Sequence, residues 1–203
     1  MRPIVLLAAA GTALALVGVT HSLAAHHASA AVLAPAQACG VERWPVKTLA
    51  DPDAPHVDLT PKSTTIAKLR RLTVVIGIGG ARGIGTERTT FRVHARLVEF
   101  KFEADSDIHL VIADPQTGET MIAEFPDASC DHGALPGIRT KIQKARIALV
   151  NSCGFPPNSS YHVIHGTATI DGVGFFDRIH GQAGVAPNGI ELHPVLRFSG
   201  HCT

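Results

Sequence analysis

Carboxylates and imidazoles are concentrated in two short stretches of the chain. The first is Asp105-Ser106-Asp107-Ile108-His109, with Asp114 and Glu124 following. Two acids and an imidazole within five residues could hold a divalent cation or divide acid and base roles, so Asp105, Asp107 and Glu124 are the candidate catalytic groups. The same Asp-Ser-Asp is also ordinary turn chemistry, in which side chains satisfy nearby backbone N–H groups. His109 and Glu124 call for more, because a polar residue inside a short apolar strand must face solvent, a partner or a site. The second stretch, Gly172 to Leu196, sets Asp177, His180, Gln182, Asn188, Glu191 and His193 around a Gly- and Pro-rich loop between two apolar runs. Glu191 and His193 are two apart on an expected strand, so their side chains share a face. With His180 they form a candidate metal set, and a divalent metal is the one cofactor these clusters suggest. Alternatively, His180, Gln182 and Asn188 hydrogen-bond across the loop and hold its shape. The candidate binding residues are therefore His109, Asp177, His180, Gln182, Asn188, Glu191 and His193. The sequence has no G-x-S-x-G elbow, which argues against serine-hydrolase chemistry.

The elements that must position these groups follow from periodicity. Thr89 to Phe102 alternates as a strand, but Phe91, Val93, Ala95 and Leu97 share one face and Val98, Phe100 and Phe102 continue on the other. Such a change of phase predicts a β-bulge in a long strand. His109 to Ala113 and Thr120 to Phe125 are two further strands joined by a turn at Asp114-Pro115-Gln116-Thr117-Gly118. Between Pro136 and Val150, Ile138, Ile142, Ala145 and Leu149 mark the apolar side of an amphipathic helix. Tyr161 to Ile170 and Ile190 to Phe198 complete five strands. Three strands, a helix and two strands is the element order of a mainly β OB-like barrel, with one helix between strands three and four. The glycine run from Gly77 to Gly85 leads into a strand, whereas a phosphate loop should end at a helix, so it reads as a surface loop.

Arg2, the apolar stretch from Ile4 to Val19 and Ala28-Ser29-Ala30 read as a secretory signal over residues 1–30, cleaved after Ala30 or, alternatively, Ala38. The apolar stretch is short for a membrane span, which needs about 20 residues, so no span is expected after cleavage. Residues 31–63 read as an extended wrapping segment anchored at Trp44 and Val46, and residues 64–203 as the barrel domain. The four cysteines fit no metal or redox motif, and an exported chain is expected to join them as two disulfides. Cys130 with Cys153, flanking the helix, and Cys39 with Cys202, tying the termini, is the expected pairing. Without residues 1–30 the chain holds seventeen Lys and Arg against seventeen Asp and Glu. A near-zero net charge argues against general nucleic-acid binding.

Four segments carry a family resemblance: Cys39-Gly40-Val41-Glu42-Arg43-Trp44-Pro45-Val46-Lys47-Thr48, Asp105 to Val111, Met121-Ile122-Ala123-Glu124 with Cys130 after it, and Gly172 to Leu196. Together they resemble an uncharacterised family of secreted or cell-surface bacterial proteins. The resemblance implies a common architecture and a shared site at these positions, without a reaction. Val74 to Glu87 departs from it, carrying glycines where a shorter proline-containing connection is expected.

Two analogies follow from the barrel itself. In the thermonuclease-like branch, acids around the first three strands hold calcium, but its arginine-bearing motifs are missing here. In binding barrels the face of strands two and three takes oligonucleotides or oligosaccharides, yet one Trp and one Tyr offer little for stacking. The leading expectation is a non-catalytic module that binds an unidentified ligand or envelope partner. The alternatives are a metal-dependent hydrolase, such as a nuclease, and a structural envelope protein.

Overall fold

The computed structural model describes residues 39–203, so the expected signal segment and both cleavage positions lie outside the described residues. In chain order the elements are α1 (Trp44–Lys47), β1 (Asp58–Ser63), α2 (Ile66–Leu69), β2 (Thr89–Phe102), β3 (Ile108–Ala113), β4 (Thr120–Phe125), α3 (Pro136–Cys153), β5 (His162–Val163), β6 (Gly166–Phe176) and β7 (Ile190–Cys202). Strands β2, β3, β4, β7 and β6 are neighbours in that order, and β6 pairs back with β2 to close the barrel. All of these pairings are antiparallel except β4 with β7, which is parallel. This is the OB-like barrel expected from the element order, with α3 between its third and fourth strands. The outlying β1 and β5 both add to β2.

Closure depends on β2 serving two partners. Its first half, Thr90 to Arg96, pairs with β6, and its second half, Arg96 to Phe102, pairs with β3. The register shifts between Leu97 and Glu99, where the side-chain phase changes in the sequence. A bulge there bends and twists the strand so that both partners can be reached. Val93, Ala95, Leu110, Ile112, Met121, Ala123, Ile170 and Leu192 fill the interior, and Ala145 and Leu149 of α3 pack against the same core. Each large aliphatic side chain buried there contributes about 1.5–3 kcal/mol. Among the described residues no helix is long and apolar enough to cross a membrane.

The disulfides join Cys39 to Cys130 and Cys153 to Cys202, which corrects the expected pairing. Helix α3 explains the difference. Its 18 residues rise about 1.5 Å each and set Cys153 about 26 Å from the helix start, so Cys130 could reach it only by running fully extended back along the helix. Cys153 instead meets the last residue of β7, and Cys130 holds the N-terminal segment against the barrel.

Two arginines, the half-buried Arg43 and the buried Arg82, secure that segment further. Glu87 is fully buried and accepts from Arg43 Nη1 at 2.8 Å and Nη2 at 2.6 Å, from the Gly83 N–H at 2.6 Å and from the Phe176 N–H at 3.0 Å. Arg82 donates to Asp51 Oδ1 at 2.6 Å, to the Val46 carbonyl at 2.6 Å and to the Glu87 carbonyl at 2.7 Å. Removing one partner of such a pair strands the other charge. Arg43→Met is expected to cost about 3 kcal/mol, or roughly 10 °C in Tm, and Arg43→Met/Glu87→Gln to recover part of it. Thermal denaturation of both variants checks this.

Candidate functional site

Along β3, β4 and β7 the even spacing that sends Leu110, Ala123 and Leu192 inward sends His109, Glu124, Glu191 and His193 to the outer face. His109 pairs with Glu124 across β3 and β4. Ala123 pairs with Leu192 across β4 and β7, so the next position brings Glu124 beside His193. One row of ionisable groups therefore crosses three strands.

This face is buried because two segments cover it. The first is the N-terminal segment, held by the Cys39–Cys130 disulfide and by the Trp44 indole N–H, which donates to the Cys130 carbonyl at 2.9 Å. The second is the loop between β6 and β7, whose Ala183 carbonyl lies 3.3 Å from His109 Nε2. Gly184 makes that approach possible: its φ is +77°, and a Cβ there would stand 2.5 Å from Val111 Cγ1. Between these covers and the turn from Glu103 to Asp107 lies a cleft of about 390 Å³.

Asp105, Asp107, His109, Glu124, Asp177, His180, Gln182, Glu191 and His193 all border this cleft. The two stretches distant in sequence meet, with Asp107 Oδ2 3.3 Å from His193 Nε2. Asn188 is not among them; its amide donates to the Leu69 and Leu72 carbonyls at 3.0 Å each and fastens the loop to α2. Gln182 turns back on its own loop, accepting from the His180 N–H and donating to the Arg178 carbonyl. The structure does not bring ligand atoms of His180, Glu191 and His193 together on one point. His180 is exposed, while His193 is buried and its Nδ1 bonds Glu191 Oε1 at 2.9 Å.

His193 is the electrostatic centre of the site. Burial alone would lower its pKa, but the carboxylates of Asp107 and Glu191 outweigh burial and raise it to about 9. The imidazolium lies edge-on to Trp44 and Phe175, with ring centroids 6.4 and 5.7 Å away. Its 3.3 Å approach to Asp107 lacks hydrogen-bond geometry, and both Asp107 oxygens are buried without a hydrogen-bond partner. Lys47 reaches Asp177 Oδ2 at 3.4 Å; burial works against its charge, yet Glu191, Asp177 and Glu124 hold its pKa above the usual lysine value.

His109 and Glu124 shift in opposite directions. Burial raises Glu124 well above the usual carboxylate range, and the nearby Glu191 and Glu103 add to it. Burial lowers His109 despite the pull of Glu103 and the Ala183 carbonyl. His109 Nδ1 lies 2.7 Å from Glu124 Oε1 and 3.4 Å from Glu103 Oε1. Asp105 is also raised, by burial and by the charge of Asp107.

Three site residues had no role in the sequence reading. Glu103 begins the turn after β2 and pairs with Lys101 at 2.8 Å; Tyr161 places its hydroxyl 3.4 Å from His109 Nε2; Lys47 lines the cleft. No single-sequence pattern places them there, since each is brought in by tertiary packing rather than by the strand that carries the cluster. Compared with family models, curated proteins and solved structures, the chain matches none.

The charged form of His193 is the one favoured by folding, so its contribution is complete below the unfolded value near 6.5 and is lost as pH rises through about 9. Chemical denaturation from pH 6 to 10 is expected to show stability falling across that window, on the order of 3 kcal/mol. His193→Gln should abolish that part of the slope.

Proposed function

We propose that this chain is an exported bacterial protein, made with a secretory signal, and that it is a non-catalytic OB-like module whose cleft takes a positively charged ligand. The observation that carries this reading is the charge of the lining: Glu42, Glu103, Asp105, Asp107, Glu124, Asp177 and Glu191 face Lys47 and the protonated His193. Even with Glu124 neutral, the acids outnumber the cations. The cleft occupies the outer face of the second and third barrel strands and the loops beside it, where OB barrels bind their ligands. That position argues for binding, and the sign of the charge argues against the polyanions many OB barrels take. Two disulfides and the resemblance of the Cys39–Thr48 and Gly172–Leu196 segments to exported bacterial proteins support export.

Spermidine and an oligonucleotide are the opposed probes. Isothermal titration at low salt is expected to show saturable spermidine binding that weakens with added salt, and none for the oligonucleotide. Glu42→Gln/Asp105→Asn should weaken spermidine about fivefold, from roughly 0.5 kcal/mol for each removed charge. Oligonucleotide binding without spermidine binding would overturn the reading.

A further inference from the structure

Within this cleft, we infer that Glu103, His109 and Glu124 form a binding site for one divalent metal ion of the zinc or manganese type. The inference rests on reading the cleft as a cation site and names the cation its deepest part takes. Glu103 Oε1, His109 Nδ1 and Glu124 Oε1 all lie within 4.8 Å of one another, from the turn after β2 and from strands β3 and β4. His109 Nε2 faces the Ala183 carbonyl, which only accepts, at 3.3 Å. With the ring proton on Nε2, toward that carbonyl and the Tyr161 hydroxyl oxygen at 3.4 Å, Nδ1 is free to ligate, and the ion takes the place of the proton shared across the 2.7 Å contact with Glu124. Three lone-pair donors then converge on one point. A metal with bonds of about 2.1 Å at tetrahedral angles needs ligand atoms roughly 3.4 Å apart. The Nδ1 to Glu103 separation is 3.4 Å, and the 2.7 Å to Glu124 opens with a small turn of that side chain.

A second observation points the same way. Glu124 Oε2 is buried with no hydrogen-bond partner, on a side chain only 9 % exposed that lines the cleft. Such an oxygen is costly unless something positive meets it. Among the described residues Lys101 is the cation within ion-pair distance of the set, 2.8 Å from Glu103, with Lys47 and His193 farther off; its side chain is 22 % exposed and can return to water when the ion arrives. The donor set, one imidazole and two carboxylates, suits zinc or manganese better than calcium or magnesium, which prefer oxygen alone. The ion's remaining positions open to the cleft. Ala183 carries the second-shell contact that fixes the ring, as metal-bound histidines require.

The test uses the full mature protein, stripped with EDTA and titrated with zinc, manganese and calcium by calorimetry, with metal content read by elemental mass spectrometry. One equivalent of zinc or manganese is expected, with calcium at least tenfold weaker. Glu103→Gln, at a partly exposed position where folding is not at stake, should weaken the metal at least about tenfold, and Glu124→Gln should do the same or more. Zinc-edge absorption should report oxygen ligands with a single imidazole. No metal uptake by the parent protein, or uptake unchanged in both variants, would overturn the site. Spermidine titrated into the same preparation separates the two readings: spermidine bound without metal leaves the cation cleft standing and removes the metal site, while neither bound removes both.

Discussion

The carboxylate of Glu87 is where the parts of this protein that are not barrel become attached to it. A fully buried glutamate requires compensation, and it receives four hydrogen bonds: two from Arg43, one from the backbone of the glycine-rich loop at Gly83 and one from the end of β6 at Phe176. Those donors come from three segments far apart in the chain. Arg43 is thereby held over the Phe175 ring, 4.6 Å from its centroid, and Phe175 in turn packs against His193. Trp44, the next residue, and Lys47, one helical turn on, arrive over the outer face of β3, β4 and β7 as a consequence. The cleft therefore depends on a charge pair outside it, and the low cost of burying Glu87 depends on the same pair remaining intact.

Much of the barrel was legible because its constraints are local. The phase change after Leu97 marks the bulge that lets β2 pair with β6 and β3, and the helical spacing of Ile138, Ile142, Ala145 and Leu149 marks α3. Strand ends were less legible. The run Gly172 to Phe176 looks like the start of a loop but continues β6 paired with β7 through two register shifts, at Asp171/Gly172 and Gly172/Gly174, and β5 breaks away where Gly166 adopts a φ of +122°. The polar residues of the buried strands were legible as well: His109, Glu124, Glu191 and His193 interrupt apolar runs, and each is buried.

What the sequence does not reveal is tertiary. Cys130 and Cys153 look like natural partners until the length of α3 is laid out between them. Glu87 sits in a Gly-Thr-Glu-Arg turn and reads as a surface residue, as does Arg82 within its glycine run, yet both are buried because the N-terminal segment folds over them. Asn188 resembles a site residue by neighbourhood alone; its amide faces away from the cleft to two carbonyls of the α2 turn. In each case the deciding contact joins segments more than thirty residues apart, beyond the reach of spacing rules.

The row across β3, β4 and β7 also explains why the covering segments carry the charges they do. Seven carboxylates around one small cleft repel one another, and burial raises the cost because water can no longer screen them. The fold meets this from within: Lys47 sits by Asp177, His193 between Asp107 and Glu191, and Lys101 beside Glu103. Each internal cation comes from a different element, so no single strand or loop balances itself. The balance stops short of Asp105 and of the buried Oε2 of Glu124, which among the described residues have no cation of their own within ion-pair distance. An excess of negative charge retained after such extensive pairing opposes folding, and packing alone would favour an apolar residue at Glu124. A ligand of opposite charge would compensate what folding leaves unpaired on the side of Asp105 and Glu124, whereas the paired side is accounted for by folding alone.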